Sequence, residues 1–322
     1  MSPVSMTRPM KGPHLKSRGA ALVTVLLIVT LATVATVGMT SRQRIDIHRT
    51  ENLLLADQAY LYTQAIEGWA VGLLNEDRLS SRQDALSESW AVGLLEEEVE
   101  NGTVRGKITD LQARFNLNNL VSDGKPSNFE TQRFKRLLVA LDLDPGLSDA
   151  IIDWLDADLL VRYPNGAEDE YYSLQQPPYR AANRSFSHIS ELRLVKGVTD
   201  EIFKRMEPFV STLPVRLPIN VNTAPAEVLM MLAEDMSRSN AEAILGSREQ
   251  SPFENLDDLL KHNALAGLAV TKEGLAVSST FFLLQGHSRF GKAKVTLSSV
   301  ISRPVSDVPR VIQRFRGDYA GY

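Results

Sequence analysis

Six carboxylates, Asp153, Asp156, Asp158, Glu168, Asp169 and Glu170, fall within eighteen residues of one another in the stretch Ile151–Asn183, IIDWLDADLLVRYPNGAEDEYYSLQQPPYRAAN, with a turn at Pro164-Asn165-Gly166. Charges this dense repel one another unless a cation sits among them. Hard oxygen ligands suit calcium, which takes about six to eight oxygens and accepts irregular geometry. The pattern is not an EF-hand, because no Asp/Asn and Gly follow Asp158 at the places that loop requires. A solvated acidic helix end and loop accounts for the same residues, so the carboxylates alone leave both readings open.

Other chemistry is poorly represented. There is no GxSxG, P-loop or GxGxxG. Gly286-His287-Ser288 comes nearest a nucleophile elbow, but Phe290 takes the second glycine place and a strand is predicted there. Carboxylate pairs such as Asp156/Asp158 are what a glycosidase uses, yet no aromatic-lined cleft is visible beside them. His14, His48, His188, His262 and His287 form no HxxxH or HExxH pair, and the absence of cysteine excludes disulfides, thiolate catalysis and Cys-ligated zinc. The expectation is a protein that is not an enzyme.

A nucleic-acid reading rests on two helix-hairpin segments. Ile219-Asn220-Val221-Asn222-Thr223-Ala224 opens a helix with Thr223 as N-cap and Pro225 near the first turn. Ala241–Ile244, Arg248, Pro252-Phe253 and Leu256–Leu259 follow, in a pattern similar to the helix-hairpin-helix domains of DNA-uptake proteins. Those domains hold phosphate on the amides of a glycine hairpin. Here the hairpin Leu232–Asn240 has no glycine and carries Glu234 and Asp235, and the closer Val195-Lys196-Gly197-Val198-Thr199 is followed by Asp200 and Glu201. The net charge of −4 also opposes general phosphate-backbone binding. These units are expected to serve packing or partner contact, with nucleic acid as an unlikely partner.

The elements that position these residues begin with Ala20–Met39, AALVTVLLIVTLATVATVGM, twenty residues without charge or proline. At about 1.5 Å rise per residue they span about 30 Å, the thickness of a bilayer core. The four threonines are tolerable, since a helical Thr hydroxyl can bond a carbonyl one turn back. A secretory signal peptide would place its small-residue cleavage site after the apolar run. Here Ser17-Arg18-Gly19-Ala20 comes before it, so a cut at Gly19–Ala20 leaves the helix in the product. The leader carries Arg8, Lys11, Lys16 and Arg18 and no acid, so its removal takes the net charge from −4 to −8 and its bases favour a cytoplasmic N-terminus. No proline occurs between Pro13 and Pro126. Leu55, Ala59, Tyr62, Ile66, Trp69 and Leu73 continue an amphipathic stripe, with Gly68 and Gly72 on one side to allow close packing. One helix of about 55 residues is expected.

Asn101-Gly102 between Glu96–Val99 and Thr103–Leu111 signals a hairpin. Val277–Leu284 and Ala293–Ile301 form a second, the latter alternating as a strand with one buried face. Between them, Phe129–Leu141, Leu147–Leu155, Ile189–Val195, Asp200–Val210, Ala224–Ala233, Ala241–Ser247 and Leu256–His262 read as helices, which suggests an inserted α-domain.

A short basic leader ending in Gly19, a hydrophobic helix behind it and a long helix merging into a head resemble a type IV pilin or pseudopilin. Most of that family has Glu at the fifth mature position, where this chain has Thr24. That departure, the large helical insert and the string Asp-x-Asp, Gly-Ala-Glu-Asp, Pro-Pro-Tyr-Arg-x-x-Asn resemble the minor pseudopilin K family of type II secretion. The resemblance implies an α+β fold: a pilin-like head, with its long N-terminal helix packed on a small antiparallel sheet, and a large inserted α-helical domain. It divides the chain into a leader (1–19), a transmembrane helix (20–39), head (40–122), insert (123–275), and final head strands and tail (276–322). It implies structural calcium on Asp156, Asp158, Glu168 and Asp169, with Asp153 left on a helix face and Glu170 pointing to solvent. It also implies a place at the pseudopilus tip, where no subunit ahead offers an amine to pair the missing carboxylate. Minor pseudopilins I, J and H, the prepilin peptidase, the inner membrane and secreted substrates are the implied partners, with the head in the periplasm. A membrane-anchored binding protein, uncleaved at Gly19, is the alternative.

Overall fold

The structure, a computed structural model, describes residues 18–317. The first seventeen residues of the expected leader lie outside the described residues, as do residues 318–322. The chain forms two units, Met1–Leu55 and Ala56–Tyr322. Helix α1, Arg18–Ser80, runs through both. It is 63 residues long and extends past the expected end, because nothing after Gly72 breaks it.

In the first unit α1 holds a stretch long and apolar enough to cross a membrane, with none of it buried. Its threonines bond backward along the helix: Thr30 Oγ1 donates to Leu26 O at 2.7 Å, Thr33 to Val29 O at 2.8 Å and Thr36 to Ala32 O at 2.8 Å. Each hydroxyl is thereby satisfied without water, the condition for a polar side chain in hydrocarbon.

The second unit starts within α1. The buried face there is Ala59, Thr63, Ile66, Glu67, Ala70 and Leu74, which corrects the expected stripe: Tyr62, Trp69 and Leu73 lie at its half-buried margin. Gly68 and Gly72 face away, with nothing within 4 Å of a would-be Cβ, so they are not the packing glycines. The close approach is made by the sheet instead. Gly106 and Gly286 are cross-strand partners beneath Ile66, and a Cβ on Gly106 would lie 2.7 Å from Ile66 Cγ2. Ser288 Oγ donates to Ala59 O at 2.7 Å. Small residues on the sheet thus set which side of α1 is buried. Gly106→Ala is expected to cost about 1–3 kcal/mol by overpacking, whereas Gly68→Ala should stabilise by about 0.5–1 kcal/mol. Denaturant unfolding of the two variants checks the contrast.

The sheet contains β1 (Leu94–Val99), β2 (Gly102–Asp110), β3 (Phe281–Phe290), β4 (Ala293–Ser302) and β5 (Arg310–Arg316), antiparallel throughout in that order. The Asn101-Gly102 hairpin forms, with Asn101 at φ 66°. The second hairpin is shifted: residues 277–280 leave the expected strand for a junction around the buried Ser279, and β3 runs on to Phe290. Strand β5 was not expected. It pairs with the otherwise open edge of β4, whose residues from Leu297 to Ile301 are buried on both faces rather than on one. Ser299 faces α1, where its hydroxyl bonds Glu67, while Val300 and its partner Leu283 belong to the core of the helical insert. The sheet is therefore a middle layer between α1 and the insert.

The insert contains α2 (Asn128–Ala140), α3 (Leu147–Leu155), α4 (Asp200–Met206), α5 (Ala226–Met230), α6 (Arg238–Gln250) and α7 (Leu256–Leu260). Phe134, Leu137, Ile151, Ile152, Phe203 and Leu229 are among its buried side chains. α4 stops before the expected end as Pro208 enters a 3-10 turn. α5 starts two residues late: Pro225 is its N-cap, and the Thr223 hydroxyl donates instead to Asp110 Oδ2 at 2.5 Å.

Candidate metal centre

Helix α3 delivers the first half of the acidic string. Asp153, on its last turn, is fully buried; Asp156 is its C-cap. The chain then turns back through Pro164-Asn165-Gly166 to a short helix, Asp169–Tyr172, with Glu168 at its N-cap. Asp153 shapes this excursion: its Oδ2 accepts the Arg162 N–H at 3.0 Å and lies against Gly166, where any side chain would collide with it. Lys196 closes the far side, donating from Nζ to Gly166 O at 3.0 Å, and its own N–H reaches the buried Tyr172 hydroxyl at 3.2 Å.

The fold brings together carboxylate oxygens of Asp156, Asp158 and Glu168, all within 4.8 Å of one another. Two oxygens on opposite sides of one calcium, at about 2.3–2.6 Å each, lie about 4.6–5.2 Å apart, so the trio fits a single ion. Asp156 and Glu168 are 2 % and 4 % exposed. Asp156 Oδ1, both oxygens of Glu168 and Asp153 Oδ1 are buried without a hydrogen-bond partner among the described residues. Buried charges persist when paired or bound to a metal, and no ion pair reaches Asp156, Asp158 or Glu168 among the described residues. Burial, then the neighbouring carboxylates, pushes Asp156 up to about 6 and Glu168 up to about 7. Burial likewise raises Asp153 to about 6.

Asp169 stands apart from the trio: its Oδ1 accepts the Ala181 N–H at 3.0 Å and its Oδ2 is 3.8 Å from Arg180 Nε. The Pro-Pro-Tyr-Arg tail thus reaches the site through Asp169. Glu170 is exposed, and Asp158 spends one oxygen on the Leu160 N–H at 2.8 Å. Asp153, which the sequence places on a helix face, is there but points inward and organises the loop.

A second acid trio, Asp77, Asp84 and Glu88, shows the opposite solution. The Arg303 guanidinium bonds both Asp77 and Asp84 and donates to Ser279 O at 2.7 Å, so this trio carries its own cation. Asp110 lies beside it, fully buried, its Oδ2 accepting from Asn220, Thr223 and Ser279 and its Oδ1 from the Gln112 N–H. The network ties the end of α1, the sheet and the insert together. Sequence reasoning missed it because Arg303 lies 226 residues from Asp77 and 219 from Asp84. Near the sheet's edge Glu67 is similarly paired with Arg314, 2.6 Å apart. The Leu232–Asn240 hairpin exposes Glu234 and Asp235, which repel phosphate.

Comparison with known proteins agrees with this architecture. The profile of the family described as Type II secretion system (T2SS), protein K matches residues 113–215 and 219–278. The type II secretion system protein K of Pseudomonas aeruginosa is 36% identical over 310 residues, covering 93% of this chain and 92% of that one. The protein K of Aeromonas hydrophila is 29% identical, covering 93% and 97%. A chain in the crystal structure of the GspK-GspI-GspJ complex from the enterotoxigenic Escherichia coli type 2 secretion system superposes with a TM-score of 0.72 at 25% identity, covering 84% of this chain and 99% of that one. The long helix on an antiparallel sheet and the helical insert are the shared architecture, and this chain belongs to the type II secretion system protein K family, the minor pseudopilins.

Proposed function

We propose that this chain caps a type II secretion pseudopilus. It is cut between Gly19 and Ala20 by the prepilin peptidase and anchored by residues 20–39 in the bacterial inner membrane, N-terminus cytoplasmic and head periplasmic. It joins minor pseudopilins I, J and H to start and cap the filament that exports folded proteins, carrying the insert (123–275) above the head. Its role is in assembly, with no reaction of its own.

The observation that carries this reading beyond the family is Thr24. Its hydroxyl donates to Ala21 O at 2.9 Å and Ala20 O at 3.1 Å, so it asks nothing of a neighbour. A carboxylate there would need a partner in lipid, which a tip subunit lacks on its leading side. Calcium on Asp156, Asp158 and Glu168 is the second part of the proposal, with Asp169 supporting the loop from outside the trio. The unpartnered buried oxygens support it.

Two measurements test the assembly role. Intact mass of the membrane-extracted chain is expected to begin at Ala20 in cells with the prepilin peptidase and at Met1 without it; Met1 in both overturns the cleavage. The extracted chain should co-purify with pseudopilins I and J. Failure to retain either overturns the tip complex.

A further inference from the structure

We propose that the part of the sheet's outer face left uncovered by the insert, on β2, β3 and β4, is a docking surface for an extended, acidic polypeptide segment. The insert covers this face at Leu283 and Val300. Beyond them the register sets out two cross-strand rows on the same face: Thr103–Arg289–Lys294 and Arg105–His287–Thr296. Together they line a shallow cavity of about 450 Å³.

Like charges directly opposite one another on neighbouring strands destabilise a sheet. Here Arg289 faces Lys294, and Arg105 stands in the next row. Glu96 offsets Arg289 alone, at 3.8 Å. Among the described residues Arg105 and Lys294 have no ion-pair partner, and both are exposed. The exposed Glu96 and Glu98 of β1 border this face on one side, and toward β4 the unpaired Arg105 and Lys294 leave a cationic excess whose cost in stability an anionic ligand would remove.

The spacing selects the ligand class. Strands are about 4.8 Å apart and alternate residues about 7 Å apart along each. That grid matches single carboxylates on alternate residues of an extended chain, whereas one phosphate would engage a single row. The Thr103 hydroxyl adds neutral hydrogen-bonding capacity at one corner, and at the diagonal corner Thr296 Oγ1 is 3.1 Å from His287 Nδ1.

The test uses the detergent-solubilised full chain and is independent of the tip reading, since it needs no other pseudopilin. A fluorescent Glu-Ser repeat peptide is titrated by anisotropy beside a Gln-Ser repeat of equal length, inorganic phosphate and phosphatidylglycerol vesicles. The Glu-Ser peptide should bind, and binding should weaken about tenfold or more between 0.1 and 1 M salt, where the screening length falls from about 10 to about 3 Å. Arg105→Glu with Lys294→Glu should abolish it at a melting temperature no lower than that of the native chain; Arg105→Gln with Lys294→Gln, which should weaken it severalfold, serves if reversal unfolds the chain. No binding of Glu-Ser, equal binding of Gln-Ser, undiminished binding by the variants, or preference for phosphate or vesicles over the peptide each overturns the proposal.

Discussion

Arg303→Ala is expected to cost about 3–5 kcal/mol, because it leaves Asp77 and Asp84 buried without their cation. For a folded body of this size that lowers the melting temperature by roughly 6–20 °C. The loss should depend on pH. Burial, followed by Glu88, already raises Asp77 to about 6 with Arg303 in place, and burial raises Asp84. Removing the guanidinium raises both further. A carboxyl whose folded value exceeds its unfolded one destabilises the fold as pH climbs from the ordinary carboxylate range through the folded value. The variant should therefore recover much of its stability at pH 5 and be weakest at pH 8. Replacing Asp77 and Asp84 by Asn in the Arg303→Ala background should also restore part of it. A pH-independent loss, measured by thermal unfolding, would mean that the guanidinium acts only through its packing on Phe282.

Chelating calcium from the purified protein is expected to lower its melting temperature by about 5–10 °C. An ion at about a hundred times its dissociation constant stabilises by about 2.7 kcal/mol, and each kcal/mol moves the midpoint by about 2–4 °C. The direction with pH follows from Asp156 near 6 and Glu168 near 7 in the ion-free fold. Their ionisation destabilises that fold as pH rises from about 4 to above 7, so the chelated protein should melt lower at pH 8 than at pH 5. Calcium, which needs the ionised forms, should restore more at pH 8. Glu168→Gln separates this from general electrostatics. It removes one of the crowded charges, so the chelated variant should melt no lower than the chelated native chain, yet its calcium response should vanish. An unchanged midpoint on adding calcium to the native chain would sink the metal proposal.

The local signals in the chain were faithful wherever one stretch decides its own structure. Ala20–Met39 must be an apolar helix because twenty uncharged residues allow little else, and Asn101-Gly102 must turn because Asn and Gly accept a positive φ. Leu147–Leu155 has its observed helix bounds in the sequence pattern. The acidic string names itself by composition. Which of its carboxylates meet was harder to read: Asp169 looks like its neighbours in sequence, but the loop turns it toward Ala181 and Arg180.

Tertiary structure decided whatever depended on a partner far along the chain. Which face of α1 is buried followed from the glycines and serines of β2, β3 and β4, so a stripe read from the helix alone came out rotated. Residues 277–280 have strand-like composition, but Asp84 and Asp110 bind Ser279 and Gln112 binds Thr280, which takes them out of the expected hairpin. β5 is Arg-rich and weakly apolar, and it becomes a strand because β4 offers an open edge and Glu67 awaits Arg314. The two acid trios put the same lesson in chemical terms. By sequence, both are carboxylates near a helix end. Only the fold sets Arg303 into one and, among the described residues, no basic side chain within ion-pair distance of the other, because charge compensation is a property of the spatial neighbourhood, not of the segment.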